Sequence, residues 1–307
     1  MNDIEGFIKA RLREAGIESA AFEARQLSSA CKSEAEALDA VKRRCAGEPL
    51  QYILSEWEFY GLPFAVGKGV LIPRPDTEIL VDTALKEIKR RKAAAGVTVN
   101  RGKAAAGTEG CGTKKIRLLD LCSGSGAIAV AISKNDDDTE VTAVEKSDEA
   151  FSWLIRNVEL NRASVRCVKG DIFDDSLLTA AADDKLGRRR DLGSCLCSES
   201  VDNEQFDIIL SNPPYIASSV IPTLQREVGF EPREALDGGS DGLVFYERIA
   251  RFWAGRLSRG GMLAVEIGYD QSAAVTDIFY KAGLVDITCI KDYSGNPRVI
   301  SGKTSGT

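Results

Sequence analysis

The chain has 307 residues, of which 44% are hydrophobic and 28% are charged, and its formal net charge is −6. This acidic charge disfavours a protein that binds nucleic acid mainly through its phosphates, although a local basic patch stays open. The chain contains no histidine, which excludes imidazole bases, His-based triads and His-ligated zinc. Its eight cysteines are scattered, and only Cys195 and Cys197 lie close together. We therefore expect reduced thiols and no metal.

The first residues, "MNDIEGFIKARLREAG", are acidic and amphipathic, unlike a secretion signal or an Arg-rich transit peptide. No stretch approaches the roughly eighteen apolar residues that are needed to cross a bilayer. We therefore expect a cytoplasmic protein that has no membrane partner.

Residues 1–85 are predicted to form a small helical domain with a connecting hairpin. Ile4 and Ile8 belong to a series of apolar residues near helical spacing, and Ser33 is a candidate N-cap with Glu36 three residues later. The aromatic and Gly-rich stretch "WEFYGLPFAVGKGVLIPRP" indicates the hairpin. "PDTEILVDTALKEIKRRK" then predicts a helix, because it begins with Pro and ends with basic residues.

Residues 86–307 are predicted to form a second domain of the α/β class. Helical stretches separate most of its candidate strands, and this alternation predicts a doubly wound, mostly parallel sheet. Two polar stretches, residues 93–115 and 174–204, are predicted to be a flexible insertion and a disordered surface loop. The seven candidate strands are "IRLLDL", "EVTAVEK", "SVRCVKGD", "FDIILSN", "MLAVEIG", "VDITCIKD" and "RVISGK".

The turn after the first of these strands has the composition of a cofactor site. In "LLDLCSGSGAIAVAIS", Gly124, Gly126 and Ala129 fit the pattern G-x-G-x-x-A, whose small residues allow a ligand to approach the backbone. Glu145 ends the next strand, where a carboxylate can accept hydrogen bonds from both ribose hydroxyls. The pattern predicts a nucleoside cofactor but fits NAD and S-adenosylmethionine equally. Tight helix–strand packing, with Glu145 as a solvated charge, is the alternative interpretation.

The fourth strand ends in Asn212-Pro213-Pro214-Tyr215, at an edge where doubly wound sheets bind ligands. A planar NH₂ group is a poor methyl acceptor, but two fixed hydrogen-bond acceptors can aim its lone pair at an electrophile. The side-chain oxygen of Asn212 and the backbone oxygen of Pro213 suit this role, and Tyr215 can pack against the substrate plane. We predict that these four residues are catalytic and that the electrophile is the methyl group of S-adenosylmethionine. A simple strand terminator is the alternative.

The sequence resembles the release factor glutamine methyltransferases, a family of class I S-adenosylmethionine-dependent enzymes. The resemblance rests on "GEPLQYILSEWEFYGLPF", "VLIPRPDTEILV", "DLCSGSGAIA", "SNPPYI", "EPREALDGGSDGL", "FYERI" and "AVEIG". It implies the Rossmann-like fold of class I methyltransferases with a seven-stranded sheet, and an N-terminal domain that recognises the substrate. It also implies N5-methylation of the glutamine in the Gly-Gly-Gln motif of class I peptide chain release factors, with S-adenosyl-L-methionine as cofactor.

The resemblance also implies roles for individual residues. Residues 122–126 would wrap the methionine part of the cofactor, Glu145 would hold the ribose, and Asp171 and Ile172 would flank the adenine. Asn212 would touch both cofactor and substrate. The full set of expected cofactor-binding residues is Asp120, Cys122, Ser123, Gly124, Ser125, Gly126, Glu145, Asp171, Ile172 and Asn212.

Other residues allow two interpretations. Arg74 and Glu78 either brace the wall of the active site or form surface ion pairs, and "EPREALDGG" is either a conformationally special loop near the substrate or a plain cluster of turns. The chain departs from the family pattern at three positions. Cys122 and Ser55 stand where Gly is usual, and Glu145 stands where Asp is usual.

Three rival functions remain at this level. The Asn-Pro-Pro-Tyr corner would also serve an adenine-N6 DNA or RNA methyltransferase that acts on a flipped base. Such an enzyme should carry a basic, aromatic-bearing recognition region, whereas this chain is acidic and its N-terminal region has mixed charge. A non-catalytic module and a dehydrogenase also fit the glycine turn. The intact Asn212 and Pro213 speak against the former, and the lack of a hydride-site acid or base speaks against the latter.

Overall fold

The computed structural model describes residues 4–96, 115–178, 190–192, 195–198, 200–201 and 204–306. The helices in this part of the chain are α1 (Ile4–Glu14), α2 (Ala20–Ala30), α3 (Glu34–Cys45), α4 (Leu50–Leu54), α5 (Glu78–Ala94), α6 (Ala127–Asn135), α7 (Asp148–Asn161), α8 (Val244–Arg248), which continues as a π-helical turn (Ile249–Trp253), and α9 (Ser272–Lys281). The strands are β1 (Glu56–Phe59), β2 (Leu62–Ala65), β3 (Ile116–Leu121), β4 (Thr139–Glu145), β5 (Val165–Lys169), β6 (Arg190–Leu192), β7 (Cys195–Ser198), β8 (Phe206–Ser211), β9 (Leu257–Glu266), β10 (Val285–Lys291) and β11 (Pro297–Lys303).

The four N-terminal helices α1–α4 pack around an apolar core of their own, which includes Ile8 and Leu27. Ser33 is the N-cap of α3, as predicted, because its hydroxyl accepts a hydrogen bond from the backbone N–H of Glu36 at 3.2 Å. The carboxylate of Glu36 reaches back to the N–H of Lys32 at 2.7 Å. Arg44 lies inside this domain, where its guanidinium forms a bidentate pair with the buried Glu23.

The predicted hairpin consists of the antiparallel strands β1 and β2. Asn157 of α7 exchanges two hydrogen bonds with the backbone of Ala65, and its Nδ2 also donates to the backbone oxygen of Ser125 at 2.9 Å. Asn157 is fully buried, so these bonds tie the hairpin to the glycine-rich turn. The predicted boundary at residue 85 falls within α5, and buried residues of α5 such as Leu80 and Ile88 belong to the core of the sheet.

The main sheet has the order β10-β11-β9-β8-β3-β4-β5-β7-β6 among the described residues. Strands β9, β8, β3, β4, β5 and β7 are parallel to one another, and antiparallel pairs complete both edges. All seven predicted strands are present, so the α/β, doubly wound, mostly parallel fold is confirmed. Helices α5–α7 cover one face, and α8, its π-helical turn and α9 cover the other.

The two polar stretches were only partly predicted. Within residues 174–204, the expectation of a disordered loop is wrong for β6 and β7, which extend the sheet beyond β5. Backbone groups on the outer edge of β5 would otherwise be unpaired, so even a short segment can form hydrogen bonds with them. Helix α5 continues to Ala94, into the first stretch, while residues 97–114 lie outside the described part of the chain. No helix in the described part is long and apolar enough to span a membrane.

The buried pair of Arg44 and Glu23 gives a stability prediction. Arg44→Met leaves the Glu23 carboxylate buried without its partner, and we expect it to lower the free energy of unfolding by about 3–5 kcal/mol. Glu227, whose side chain is 39% exposed, contacts the same guanidinium at 3.1 Å. Glu227→Gln should therefore cost about 1 kcal/mol or less. Chemical denaturation followed by circular dichroism measures both. Equal effects of the two substitutions would contradict the assignment.

Candidate active site

A cavity opens at the carboxyl ends of β3, β4, β5 and β8. Strand β3 pairs with β4 on one side and with β8 on the other. Successive strands are therefore added in opposite directions from β3, which makes this a topological switch point of the sheet. Such a switch point is the usual ligand site of an open α/β sheet. Seven of the predicted site residues line this cavity, and they come from all four strand ends: Cys122, Gly124, Glu145, Asp171, Ile172, Asn212 and Pro214.

Glu145 holds the glycine-rich turn in place. Its Oε2 accepts a hydrogen bond from the backbone N–H of Gly124 at 2.8 Å, and its Oε1 accepts one from Ser147 at 2.7 Å. Burial raises the pKa of Glu145, while these backbone donors act in the opposite direction. Each carboxylate oxygen can accept a further bond. The carboxylate therefore supports the turn and keeps acceptor capacity toward the cavity for ribose hydroxyls.

The turn itself needs a left-handed backbone at three positions. Gly124 has φ +55° and Gly126 has φ +80°. A Cβ at Gly126 would lie 2.4 Å from Cδ1 of Leu154, so this position also lacks space for a side chain. Cys122, where the family usually has Gly, has φ +58°. Ser55, the other such departure, ends α4 with φ +60°. Both departures therefore place a Cβ where glycine is favoured.

Asp120 lies beneath this turn and is fully buried. Within the described residues, neither of its carboxylate oxygens has a hydrogen-bond partner at normal geometry, although the side chain of Ser123 and the backbone N–H of Ala129 lie nearby. Burial raises the pKa of Asp120 to about 8 and the charge of Glu145 adds to this effect, whereas the Ser123 side chain and the backbone N–H of Ala129 act in the opposite direction. A buried carboxylate without a partner is costly, and a cation bound nearby would remove that cost.

The loop after β5 forms the other end of the cavity. The backbone oxygen of Ile172 accepts hydrogen bonds from Nε of Arg248 at 2.7 Å and from Nε1 of Trp253 at 3.1 Å. Phe245 lines the cavity, and its ring packs edge-on against Phe173 with 5.2 Å between centroids. The sequence reasoning missed Phe245, Arg248 and Trp253. The first two lie in or beside "FYERI", which was noted without a role.

Asp171, the other residue expected at the adenine, lines the cavity at the same end. One of its carboxylate oxygens pairs with Nζ of Lys146 at 2.9 Å, and the other accepts a bond from the backbone N–H of Phe173 at 3.0 Å. The second contact folds the loop back on itself just after β5.

The Asn-Pro-Pro-Tyr corner is connected to two residues that were not predicted as site residues. Nδ2 of Asn212 donates to Oγ1 of Thr77 at 3.1 Å, and Oγ1 of Thr77 donates to Oε2 of Glu266 at 2.6 Å. The hydroxyl of Tyr215 lies 3.4 Å from the other oxygen of Glu266, which is long for such a bond. Thr77 and Glu266 lie in "IPRPDTE" and "AVEIG", whose roles the sequence left open.

The remaining predicted site residues are not among those that line the cavity. Tyr215 does not line the cavity, and its partly buried side chain packs on one of the two apolar cores of the sheet. Packing of its ring against the substrate plane stays a prediction. The other predicted residues outside the lining are each within two residues of one that lines the cavity, and they are Asp120, Ser123, Ser125, Gly126 and Pro213.

The segment "EPREALDGG" packs directly on the corner. A Cβ at Gly238 would lie 2.8 Å from the backbone oxygen of Pro214, and one at Gly242, three residues beyond the segment, would lie 2.3 Å from that of Tyr215. The N–H of Ile216 donates to the backbone oxygen of Leu236 at 2.9 Å. These contacts favour the interpretation of residues 231–239 as a conformationally special loop near the substrate over that of a plain cluster of turns.

Arg74 and Glu78 brace neighbouring parts of the site. Arg74 pairs with Glu231, which also accepts the backbone N–H of Ile72 at 3.0 Å. Glu78 accepts the N–H of Tyr60 in the hairpin at 2.9 Å. Arg74 thus holds residues 231–239, which we call the wall loop, and Glu78 holds the hairpin.

Comparison with known proteins agrees with this geometry. Residues 110–182 match the family model described as Methyltransferase small domain. The fold is shared with the catalytic domain of hMettl16, solved in complex with a MAT2A 3'UTR hairpin, at a TM-score of 0.52 and 15% identity, covering 89% of this chain and 79% of that one. With its strand order and glycine-rich turn, the chain is a class I methyltransferase whose cofactor is S-adenosylmethionine.

Closer relatives define the family. The chain is 38% identical to the release factor glutamine methyltransferase of Clostridium botulinum, covering 83% of this chain and 75% of the relative. It is 36% identical to that of Geobacter sulfurreducens, covering 86% and 76%. The chain belongs to the release factor glutamine methyltransferase family.

Cys122 allows a test of strain in the turn. Gly ordinarily destabilises a protein relative to Ala, because it is more flexible when unfolded. At φ +58° we expect the opposite order, with Cys122→Gly more stable than Cys122→Ala by about 1 kcal/mol. Ser152, exposed in α7, is the matched control, and there Gly should be the less stable variant. Thermal unfolding of the four variants checks this. The same order at both positions would refute the strain.

Asp120 gives a prediction with a defined pH dependence. Its folded pKa of about 8 lies above the usual value, so the wild type loses stability as the pH rises from about 4 to about 8. Asp120→Asn has no such loss, and its stability advantage without cofactor should grow over this range. Its affinity for S-adenosylmethionine should fall by about 1.5–3 kcal/mol. Calorimetry and thermal unfolding measure both, and unchanged affinity would contradict a binding role.

Proposed function

We propose that this protein transfers the methyl group of S-adenosylmethionine to N5 of a glutamine side chain in peptide chain release factors. We further propose that the glutamine is that of the Gly-Gly-Gln motif of class I release factors. The single observation that carries the proposal is the orientation of Asn212. Its Nδ2 is engaged by Thr77, which leaves Oδ1 as a hydrogen-bond acceptor at the cavity. We also propose a cytoplasmic location, because the enzyme must meet this substrate there.

The chemistry of an amide substrate explains why such an acceptor matters. The nitrogen lone pair of a glutamine amide is delocalised into its carbonyl, so the main requirement is to hold that lone pair toward the methyl group. The transfer would form an N–C bond as the S–C bond of the sulfonium breaks to leave a neutral thioether, and the methylated nitrogen would release one proton to water. Oδ1 of Asn212 and the backbone oxygen of Pro213 can each accept one N–H bond of the substrate and hold the lone pair toward the methyl group. Positive charge that develops on the nitrogen is stabilised by these fixed dipoles. Pro213 and Pro214 limit the freedom of the backbone at this corner.

The residues of the cavity fit the cofactor. Bound S-adenosylmethionine would supply an electrophilic methyl group on a sulfonium. The carboxylate of Asp120, two residues before the cavity-lining Cys122, would offer negative charge to its cationic methionine end, and a Cβ at Gly126 would lie 2.4 Å from Cδ1 of Leu154. Glu145 would hold the ribose, and the loop of Asp171 and Ile172 would flank the adenine, with the ring of Phe245 as an apolar wall beside them.

We also propose that the N-terminal helical domain takes part in binding the release factor. Its support is the contact between this domain and residues 221–231, which lead into the wall loop. Arg44 pairs with Glu227 at 3.1 Å, and Gly47 lies against the side chain of Arg226. A protein docked on the N-terminal helices would therefore also touch the loop beside the corner. The adenine-directed alternative is not favoured, because the close relatives carry the glutamine-enzyme name.

Mass spectrometry of a release factor tests the function directly. A class I release factor is incubated with the protein and isotopically labelled S-adenosylmethionine, and the Gly-Gly-Gln peptide is sequenced. We expect one labelled methyl group on the glutamine side chain. A factor with Gln replaced by Asn in that motif is the matched control. Label on an adenine-containing oligonucleotide but none on the factor would replace this proposal with the alternative.

Asn212 is the critical residue in this assay. Asn212→Ala removes the acceptor, and we expect the methylation rate to fall by about 10²–10³. Asn212→Asp keeps an acceptor oxygen but loses the donor to Thr77 and adds a charge, so it should retain more activity than Ala. Both should fold, because the buried residues Ile208, Ile209 and Leu210 of β8 are unchanged. Undiminished rates in both variants would reduce the corner to a strand terminator.

A further inference from the structure

Thr77 connects the corner to a buried carboxylate on a different strand. It lies in the turn before α5, Asn212 follows β8, and Glu266 is the last residue of β9. The Thr77 side chain contacts both, with Oγ1 at 3.1 Å from Nδ2 of Asn212 and 2.6 Å from Oε2 of Glu266. Thr77 is 4% exposed and Glu266 is 1% exposed. Three distant segments therefore meet behind the cavity in one short chain of hydrogen bonds.

The direction of each bond in this chain follows from the groups present. An ionised carboxylate can only accept, so the single hydroxyl proton of Thr77 points to Glu266. Oγ1 of Thr77 can then only accept from the side of Asn212. The group of Asn212 that faces Thr77 must accordingly be its NH₂, and Oδ1 takes the opposite position. The charge on Glu266 thus decides which end of the Asn212 amide faces Thr77.

We propose that Thr77 and Glu266 are positioning residues that set the amide orientation of Asn212 and so present its Oδ1 to the substrate amide. This inference rests on the proposed function. Neither Thr77 nor Glu266 lines the cavity, and both act only through Asn212. Their effect should appear in kcat, because the orientation of an acceptor matters once substrate and cofactor are bound.

Loss of the charge on Glu266 should reverse the chain. A protonated Glu266 can donate to Thr77, whose own proton is then free to point at Asn212 and favour the inverted amide. The groups that face this carboxylate are Tyr215 from the corner, Arg298 of β11, Asp76 of the turn before α5 and Tyr246 of α8, whose hydroxyl bonds the backbone oxygen of Glu266. Burial raises the pKa of Glu266 to about 7, which Arg298 opposes and Asp76 supports. At saturating substrates, kcat should therefore rise between about pH 6 and pH 8.

The first arm of the test uses the hydroxyl of Thr77. Thr77→Val removes the link at nearly constant size, and we expect kcat for a release factor to fall about 10–100-fold, as for other residues that orient a ligating group. Affinity for S-adenosylmethionine, measured by calorimetry, should stay within about twofold, and Thr77→Ser should restore most of the rate because it restores the hydroxyl. Thr83→Val is the matched control. The Thr83 hydroxyl bonds the backbone oxygen of Ile79 on α5, and its removal should leave kcat unchanged.

The second arm uses the charge of Glu266. Glu266→Gln keeps the size and a hydrogen-bonding end, but its amide does not fix the direction of the Thr77 bond. We expect a kcat that is low and nearly independent of pH between about 6 and 8, with unchanged cofactor affinity. A residue that served only for stability would lower the amount of folded protein and leave the pH profile of kcat as in the wild type.

The outcomes separate the two proposals. If the wild type does not methylate the release factor, the proposed function fails and the positioning role fails with it. If the wild type is active and Thr77→Val keeps its kcat, or Glu266→Gln keeps the wild-type pH profile, the positioning role alone is overturned. Loss of rate in Thr77→Val, recovery in Thr77→Ser and a flat profile in Glu266→Gln together support it.

Discussion

Burial of carboxylates at the carboxyl edge of the sheet is the physical constraint around which this site is arranged. Asp120, Glu145 and Glu266 end or nearly end β3, β4 and β9, and each is 8% exposed or less. Removing such groups from water is costly unless each finds a partner. Glu145 accepts backbone N–H groups of Gly124 in the glycine-rich turn and of Ser147 after β4, and Glu266 accepts the hydroxyl of Thr77.

Asp120 has no hydrogen-bond partner at normal geometry in the described part of the chain, and the nearby Ser123 and Ala129 only partly oppose the effect of its burial. Stability alone would favour an apolar residue at this place, because an isolated buried carboxylate gains nothing from the fold. A carboxylate that remains unpaired beneath the cofactor turn is better explained by a cationic ligand that completes it. The left-handed backbone of Cys122 and the buried carboxylate of Asp120 are thus two residues apart in the chain. Backbone strain and perturbed pKa values are commonly found at functional sites.

Much of the fold could be predicted because its signals are local. The alternation of apolar segments gave all seven strands of the predicted sheet, and the spacing of Ser33 and Glu36 gave a helix start that the structure confirms. The short strands β6 and β7 could not be predicted in this way, since their polar surroundings carry no strand pattern. They form because β5 offers an open edge, which is a property of the assembled sheet.

The candidate site could likewise be predicted only where its residues follow from local patterns in the sequence. Asn212, Glu145 and the glycine-rich turn stand at strand ends, so their place could be inferred from chain order and they do line one cavity. Thr77 is 135 residues from Asn212 and 189 from Glu266, and no local pattern links such positions. Their connection depends on how α5, β8 and β9 pack. The segments that contain Thr77 and Glu266 could be recognised in the sequence, but no role could be assigned to these two residues.

The two departures from glycine illustrate how such long-range packing tolerates local cost. Ser55 and Cys122 adopt positive φ although each carries a Cβ, which disfavours this backbone conformation by about 1–2 kcal/mol. Cys122 is held there because the turn on its far side is fixed by Glu145 through Gly124, and by Asn157 through Ser125. These bonds come from β4 and α7, so the backbone at Cys122 is determined by its surroundings more than by its own preference. The shape of the cofactor turn therefore depends on bonds from the sheet and its covering helix as well as on the glycines within it.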